Sequence, residues 1–143
     1  MSCRKLLITN NPALCSTVSS CEFVDGDSLS VLLRVRDLVH KGWVLLSHPL
    51  YGNLRPYQHP YRSVLVEQPG CKSNPYADLQ SLEYIENALG VYSSEKDRIP
   101  TDDTMPGDVK DDFAFIDGEL MKETLSRYGM TVRESLNKDA ERR

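Results

Sequence analysis

The sequence predicts one α/β domain over residues 1–143, a mostly parallel sheet of four or five strands with helices packed on it in a Rossmann-like layering. Three observations carry this reading. Short apolar runs at 4–9, 43–47 and 61–66 are bounded by Asn, Gly and Pro, as buried strands are. Between two such runs, residues 27–42 repeat Leu29, Leu32, Leu33, Val35 and Val39 near helical spacing. A chain of 143 residues is also long enough to bury one sizeable core.

Taken in order, RKLLIT (4–9) is a buried strand closed by Asn10-Asn11-Pro12. Residues 12–20 are rich in Ser, Thr and Ala and read either as a loop or as a weak helix begun by Pro12. Residues 22–24 form a second strand ending at Asp25-Gly26. Asp27 or Ser28 caps the first long helix, and Lys41-Gly42 ends it with a cation and a glycine stop. WVLLS (43–47) is apolar on both faces, so strand, helix and strand suggest a right-handed parallel crossover. YRSVLV (61–66) is a fourth strand. A helix capped near Asp78 then carries Leu79, Leu82, Ile85, Ala88 and Leu89 on one stripe. Residues 93–111 are polar, acidic and aperiodic with two prolines, which predicts a mobile loop or insertion. DFAFI (112–116) suits a fifth strand, and Asp117 caps a last helix with Leu120, Met121 and Leu125 on its core face. The charged tail NKDAERR is expected to fray.

Composition excludes several classes of function. The net charge of -4 and the scattered Lys and Arg give no basic patch for nucleic acid. No apolar run is long enough to span a bilayer, and the N-terminal run is too short for a signal peptide, so a cytoplasmic protein is expected. Cys3, Cys15, Cys21 and Cys71 form no C-x-x-C pair, so free thiols are expected rather than zinc ligands or disulfides. There is no G-x-S-x-G, no phosphate-binding glycine loop and no H-E-x-x-H, and the reading calls for no metal and no cofactor.

One stretch concentrates chemistry. LLSHPLYGNLRPYQHPY (45–61) starts as a strand and becomes a loop of His, Tyr, Gly, Asn, Arg and Pro. Open parallel sheets bind ligands beyond the carboxyl ends of their strands. If the first and third strands are parallel neighbours, Thr9, Asn10 and Asn11 meet His48, Gly52 and Asn53, with Arg55 and Arg62 in reach of a carboxylate or phosphate. Amides donate and accept, His48 changes charge near neutral pH, and Gly52 lets a ligand approach the backbone. The plainer reading is the stronger one for several of these residues. Asn10 and Asn53 suit turns, the prolines stiffen a loop, the tyrosines cover a core edge, and a lone histidine is more often structural than catalytic.

LLITNNP, EFVDGDSLSVLLRVRDLVHKGWVLLSHPLYGNLRP and PYRSVLV together resemble the GrdX family, firmly over residues 4–67 and more loosely over 78–92 and the segment beginning DFAFID. These small proteins are encoded with the glycine, sarcosine and betaine reductase components of amino-acid-fermenting anaerobes. The resemblance implies a cytoplasmic accessory role beside a reductive deamination that yields acetyl phosphate. It implies no particular activity, cofactor or catalytic residue. The family motifs fall on Thr9, Asn10, Asn11, Pro12, His40, Lys41, Gly42, His48, Pro49, Gly52, Pro56, Pro60 and Tyr61.

Two readings of different class follow. The first is an accessory or binding protein for a small anionic metabolite or a reductase component, contacting it through Thr9, Asn10, Asn11, His48, Gly52, Asn53 and Arg55. The second is a small enzyme using His48 as general acid or base on a carboxylate- or phosphate-bearing metabolite. An enclosed pocket with an orienting partner for His48 favours the second, and an exposed apolar surface beside it favours the first. Homo-oligomerisation through the helices is compatible with either.

Overall fold

The computed structural model describes residues 4–50, 60–69, 78–93 and 107–130. They form strands β1 (Arg4–Thr9), β2 (Cys21–Phe23), β3 (Val44–Leu45) and β4 (Ser63–Gln68). The helices are α1 (Pro12–Cys15), α2 (Ser28–His40), α3 (Leu79–Ser93) and α4 (Gly107–Arg127).

The sheet runs β2-β1-β4-β3. β1 pairs in parallel with β2, whereas β4 runs antiparallel to both β1 and β3. The expectation of a mostly parallel sheet is therefore corrected: one of the three pairings is parallel. β1, β2 and β3 do share a direction, as the strand–helix–strand reading implied. The chain then turns back after β3, and β4 inserts between β1 and β3, where an apolar strand can bury both faces in either orientation. β1 and β3 are consequently not neighbours.

The described strands number four, and the fifth expected at 112–116 is the second turn and middle of α4. Phe115 is 69% exposed and Ile116 42% exposed, so their hydrophobicity does not bury them as strand alternation would require. Buried α4 positions are Asp117, Met121 and Leu125, four residues apart, which is one helical stripe. Asp117 thus lies in mid-helix and is not a cap. Of the acidic stretch at 93–111, Ser93 ends α3 and residues 107–111 begin α4. Residues 94–106, like the charged tail, lie outside the described residues.

Strand alternation divides the core into two layers. Leu6, Ile8, Val64 and Val66 face α2 and α3, where Val31, Leu32, Val35, Val39, Ile85, Ala88 and Tyr92 fill one cluster. Leu7 and Leu65 point the other way, against Leu14, Met121, Leu125 and Met130 beneath α1 and α4. Helices thus cover both faces of a mixed sheet.

Local chemistry sets the helix ends. Asp27 Oδ1 accepts from the Ser30 backbone N–H at 2.9 Å and starts α2. Gly42, at φ 102°, closes it: its N–H reaches Val39 and the Trp43 N–H reaches Leu38, the paired bonds of a Schellman stop. Asp78 Oδ2 accepts from Ser81 N at the start of α3. The Ser81 hydroxyl also accepts from the Leu45 backbone N–H at 3.0 Å, tying edge strand β3 to that helix. Arg34 of α2 grips Glu22 of β2 through Nε and Nη2, at 2.5 and 3.1 Å.

Candidate functional site

The end of β1 carries a buried polar group. Thr9 and Ser63 are direct cross-strand partners on the α4 side of the sheet, and their hydroxyls lie 2.6 Å apart. Ser63 donates to Asp117 Oδ2 at 2.7 Å. Its single proton being used there, Thr9 must donate to Ser63, while Thr9 Oγ1 accepts the Asn11 backbone N–H at 3.0 Å. The result is a one-way chain from the Asn11 backbone through Thr9 and Ser63 to the carboxyl, an arrangement in which each bond polarises the next.

Asn11 ties three elements. Its Oδ1 accepts from Leu14 N as the cap of α1, and its Nδ2 donates at 3.0 Å both to the Ala114 carbonyl and to Asp117 Oδ2. Asp117 is fully buried, and its second oxygen, Oδ1, has no hydrogen-bond partner. Burial pushes this carboxyl up to about 7, against the opposing pull of the Asn11 hydrogen bond. The group can therefore hold or release a proton near neutrality inside the protein.

Asn10 spends its whole side chain on the fold. Nδ2 donates to the carbonyls of Gly26 and Pro60, and Oδ1 accepts from the Arg62 backbone N–H at 2.9 Å. Arg62 is also buried. Its Nε and Nη2 both donate to the Tyr92 hydroxyl, and its guanidinium lies 5.7 Å from the centre of that ring. Arg62 is thus enclosed at the sheet end, in contrast to the ligand-facing position expected of it.

His48 stands apart from this group. β4 separates β3 from β1, so the adjacency that was to bring His48 to Asn10 and Asn11 is absent. His48 is exposed, its ring 5.2 Å from that of Tyr84 on α3, and its Nδ1 accepts from the Leu50 backbone N–H at 3.0 Å. In the neutral ring this bond leaves the proton on Nε2. Among the described residues no carboxylate orients it. Gly52, Asn53 and Arg55 lie outside the described residues, as do Pro56, Cys3 and Cys71.

Two further features border the buried group. A groove of about 330 Å³ runs between α1 and α4, lined by Ala13, Leu14, Thr17, Ala114, Phe115 and Gly118, with Asp111, Glu119 and Lys122 also on its walls. Cys15 at the end of α1 and Cys21 at the start of β2 form a disulfide, which corrects the expectation of free thiols for these two residues. The chain turns between them, and that turn, unreadable from their spacing, brings them together. The described residues contain no group of three or more His, Cys, Asp or Glu arranged to hold a metal ion, and no helix long and apolar enough to cross a membrane.

Ser63 is not singled out by the sequence, and Asp117 is read there only as a helix cap, not as a site residue. A signal for Asp117 was available, because it sits four and eight residues before Met121 and Leu125 on one helical stripe. For Ser63 there was none beyond its place at the head of a strand. Among known proteins, a family model described as GrdX-like protein matches residues 6–126. Comparison with curated proteins and with solved structures found no match.

Proposed function

Since the chain belongs to the GrdX-like protein family over residues 6–126, we propose that it is a cytoplasmic accessory protein of glycine, sarcosine and betaine reductase metabolism, and that it binds through the loop after β3. The observation that carries this is the exposed His48–Tyr84 pair, with Nδ1 of His48 accepting from the Leu50 backbone N–H. It stands four to seven residues before Gly52, Asn53 and Arg55, which supply backbone access, an amide and a fork-shaped cation for an anion. Thr9, Asn10 and Asn11 then act from behind, holding the sheet end in shape. General acid–base work by His48 has less support, since it asks for an orienting partner and an enclosed pocket.

The test is a thermal-shift series with glycine, sarcosine, betaine, acetate, phosphate and acetyl phosphate, alongside binding assays with the purified reductase components. A ligand at 100 times its Kd adds about 2.7 kcal/mol of stability. His48→Ala is expected to stay folded, its side chain being exposed, and to lose the shift for the metabolite or the affinity for the component. A wild-type protein that responds to none of these metabolites and to no component refutes the proposal.

A further inference from the structure

α1 is a single turn, too short to persist on its own. It is held at its start by the Asn11 cap and at its end by the bond from Cys15 to Cys21. Three of the residues walling the α1–α4 groove, Ala13, Leu14 and Thr17, belong to this turn or follow it closely. Cys15 and Cys21 are both half-buried and within reach of solvent, and β2 is an edge strand. The bridge spans only six positions in sequence. The β1–β4 ladder and the packing of α2 on α3 do not pass through it, so opening it leaves the main core in place. In reducing compartments, disulfides that form are mostly transient and exchange-active.

We propose that Cys15–Cys21 is a thiol–disulfide exchange site for a dithiol reductant, and that opening it frees the α1 wall of the groove. Cys21 packs against the second core cluster, so the approach is to the half-buried Cys15 sulfur at the end of α1, next to exposed Ser16. One thiolate of the reductant attacks Cys15 Sγ, a mixed disulfide forms, and Cys21 departs as a thiolate that takes up a proton. The second thiol of the reductant then attacks its own sulfur in the mixed disulfide and releases Cys15. Two electrons and two protons pass to the protein, and the reductant leaves as its cyclic disulfide.

The experiment needs no substitution. Protein purified without reductant is alkylated before and after graded dithiothreitol, and each cysteine is assigned by peptide mapping. Amide exchange is followed in the oxidised and reduced forms. Cys15 and Cys21 are expected to be shielded at first, and to become labelled together under native conditions. Residues 12–20 should then exchange at least about tenfold faster, while α2 and β4 stay unchanged. A glutathione adduct should map to Cys15. Immediate labelling of both cysteines, reduction only in denaturant, or unchanged exchange at 12–20 overturns the proposal. An adduct confined to Cys21 overturns the assignment of the attacked sulfur.

Discussion

Replacing Asp117 by Asn isolates the buried carboxyl beneath the sheet end. In the unfolded chain its carboxyl ionises near the ordinary 3.8, and in the folded chain near 7. Below pH 4 it is neutral in both states and the raised value has no effect. Between 4 and 7 the unfolded chain releases its proton while the folded chain keeps it. The folded state then binds more protons, so stability falls as pH rises, and it levels off above 7. Over the whole interval the loss is about 4 kcal/mol. Two effects compete for this result. Ser63 and Asn11 both donate to Oδ2 and favour the carboxylate, whereas burial and the unpartnered Oδ1 oppose it. The large cost of an incompletely satisfied buried charge decides for burial. Asp117→Asn keeps the shape and stays neutral at every pH. Urea unfolding of both proteins from pH 5 to 8 should show the variant gaining about 3 kcal/mol relative to wild type, with most of the change between pH 5 and 7. Other carboxylates cancel in the difference. Parallel curves would falsify the reasoning, because they would mean that the two donors outweigh burial and that Asp117 is ionised throughout.

Asn10→Ala removes three hydrogen bonds and leaves their backbone partners unpaired, which should cost about 3 kcal/mol in chemical denaturation. A loss under about 1 kcal/mol would show that water replaces the amide. Tyr92→Phe keeps the ring over Arg62 but takes away the hydroxyl that accepts from both Nε and Nη2. A hydrogen bond to a charged donor is worth about 2 kcal/mol, and a melting temperature unchanged from wild type would argue against this pairing. The double variant Cys15→Ala/Cys21→Ala should retain the wild-type circular dichroism spectrum and lose about 2 kcal/mol, the loop entropy of a short bridge. Loss of the folded spectrum would show that the main core depends on this bond.

The parts of the fold that were legible in the sequence are those governed by neighbours along the chain. The cap at Asp27, the glycine stop at 42 and the apolar stripe of α3 each depend on residues within a turn or two, and α2 and α3 form where they are expected, although Leu79 and Leu33, assigned to their apolar patterns, are exposed. Strand direction is different. SVLVEQ buries its apolar residues equally well beside a parallel or an antiparallel partner, so nothing in it announces that β4 enters between β1 and β3. At 112–116, two phenylalanines flanking an alanine imitate strand alternation, and only the stripe of 117, 121 and 125 discloses a helix. The polar residues after β1 stand out in the sequence, but their partners do not. Asn11 meets Asp117 across 106 positions and Thr9 meets Ser63 across 54, separations at which a single sequence carries no pairing signal. The Cys15–Cys21 bond failed to register for a related reason: a turn of backbone, not a spacing motif, brings the sulfurs together.

The Thr9–Ser63 pair also polices strand alignment. Purely apolar strands such as LLI and VLV are nearly interchangeable under a slip of one residue, since another aliphatic side chain takes each vacated place. Ser63 is not interchangeable. Moving β4 by one position turns its hydroxyl to the opposite face of the sheet. Val64 or Arg62 then stands beneath α4, and Asp117 loses one of the two donors that satisfy Oδ2. A misaligned sheet therefore retains most of its hydrophobic contacts but meets α4 without the hydroxyl that Asp117 needs. One serine and one aspartate, 54 residues apart, give a repetitive apolar ladder a single admissible register.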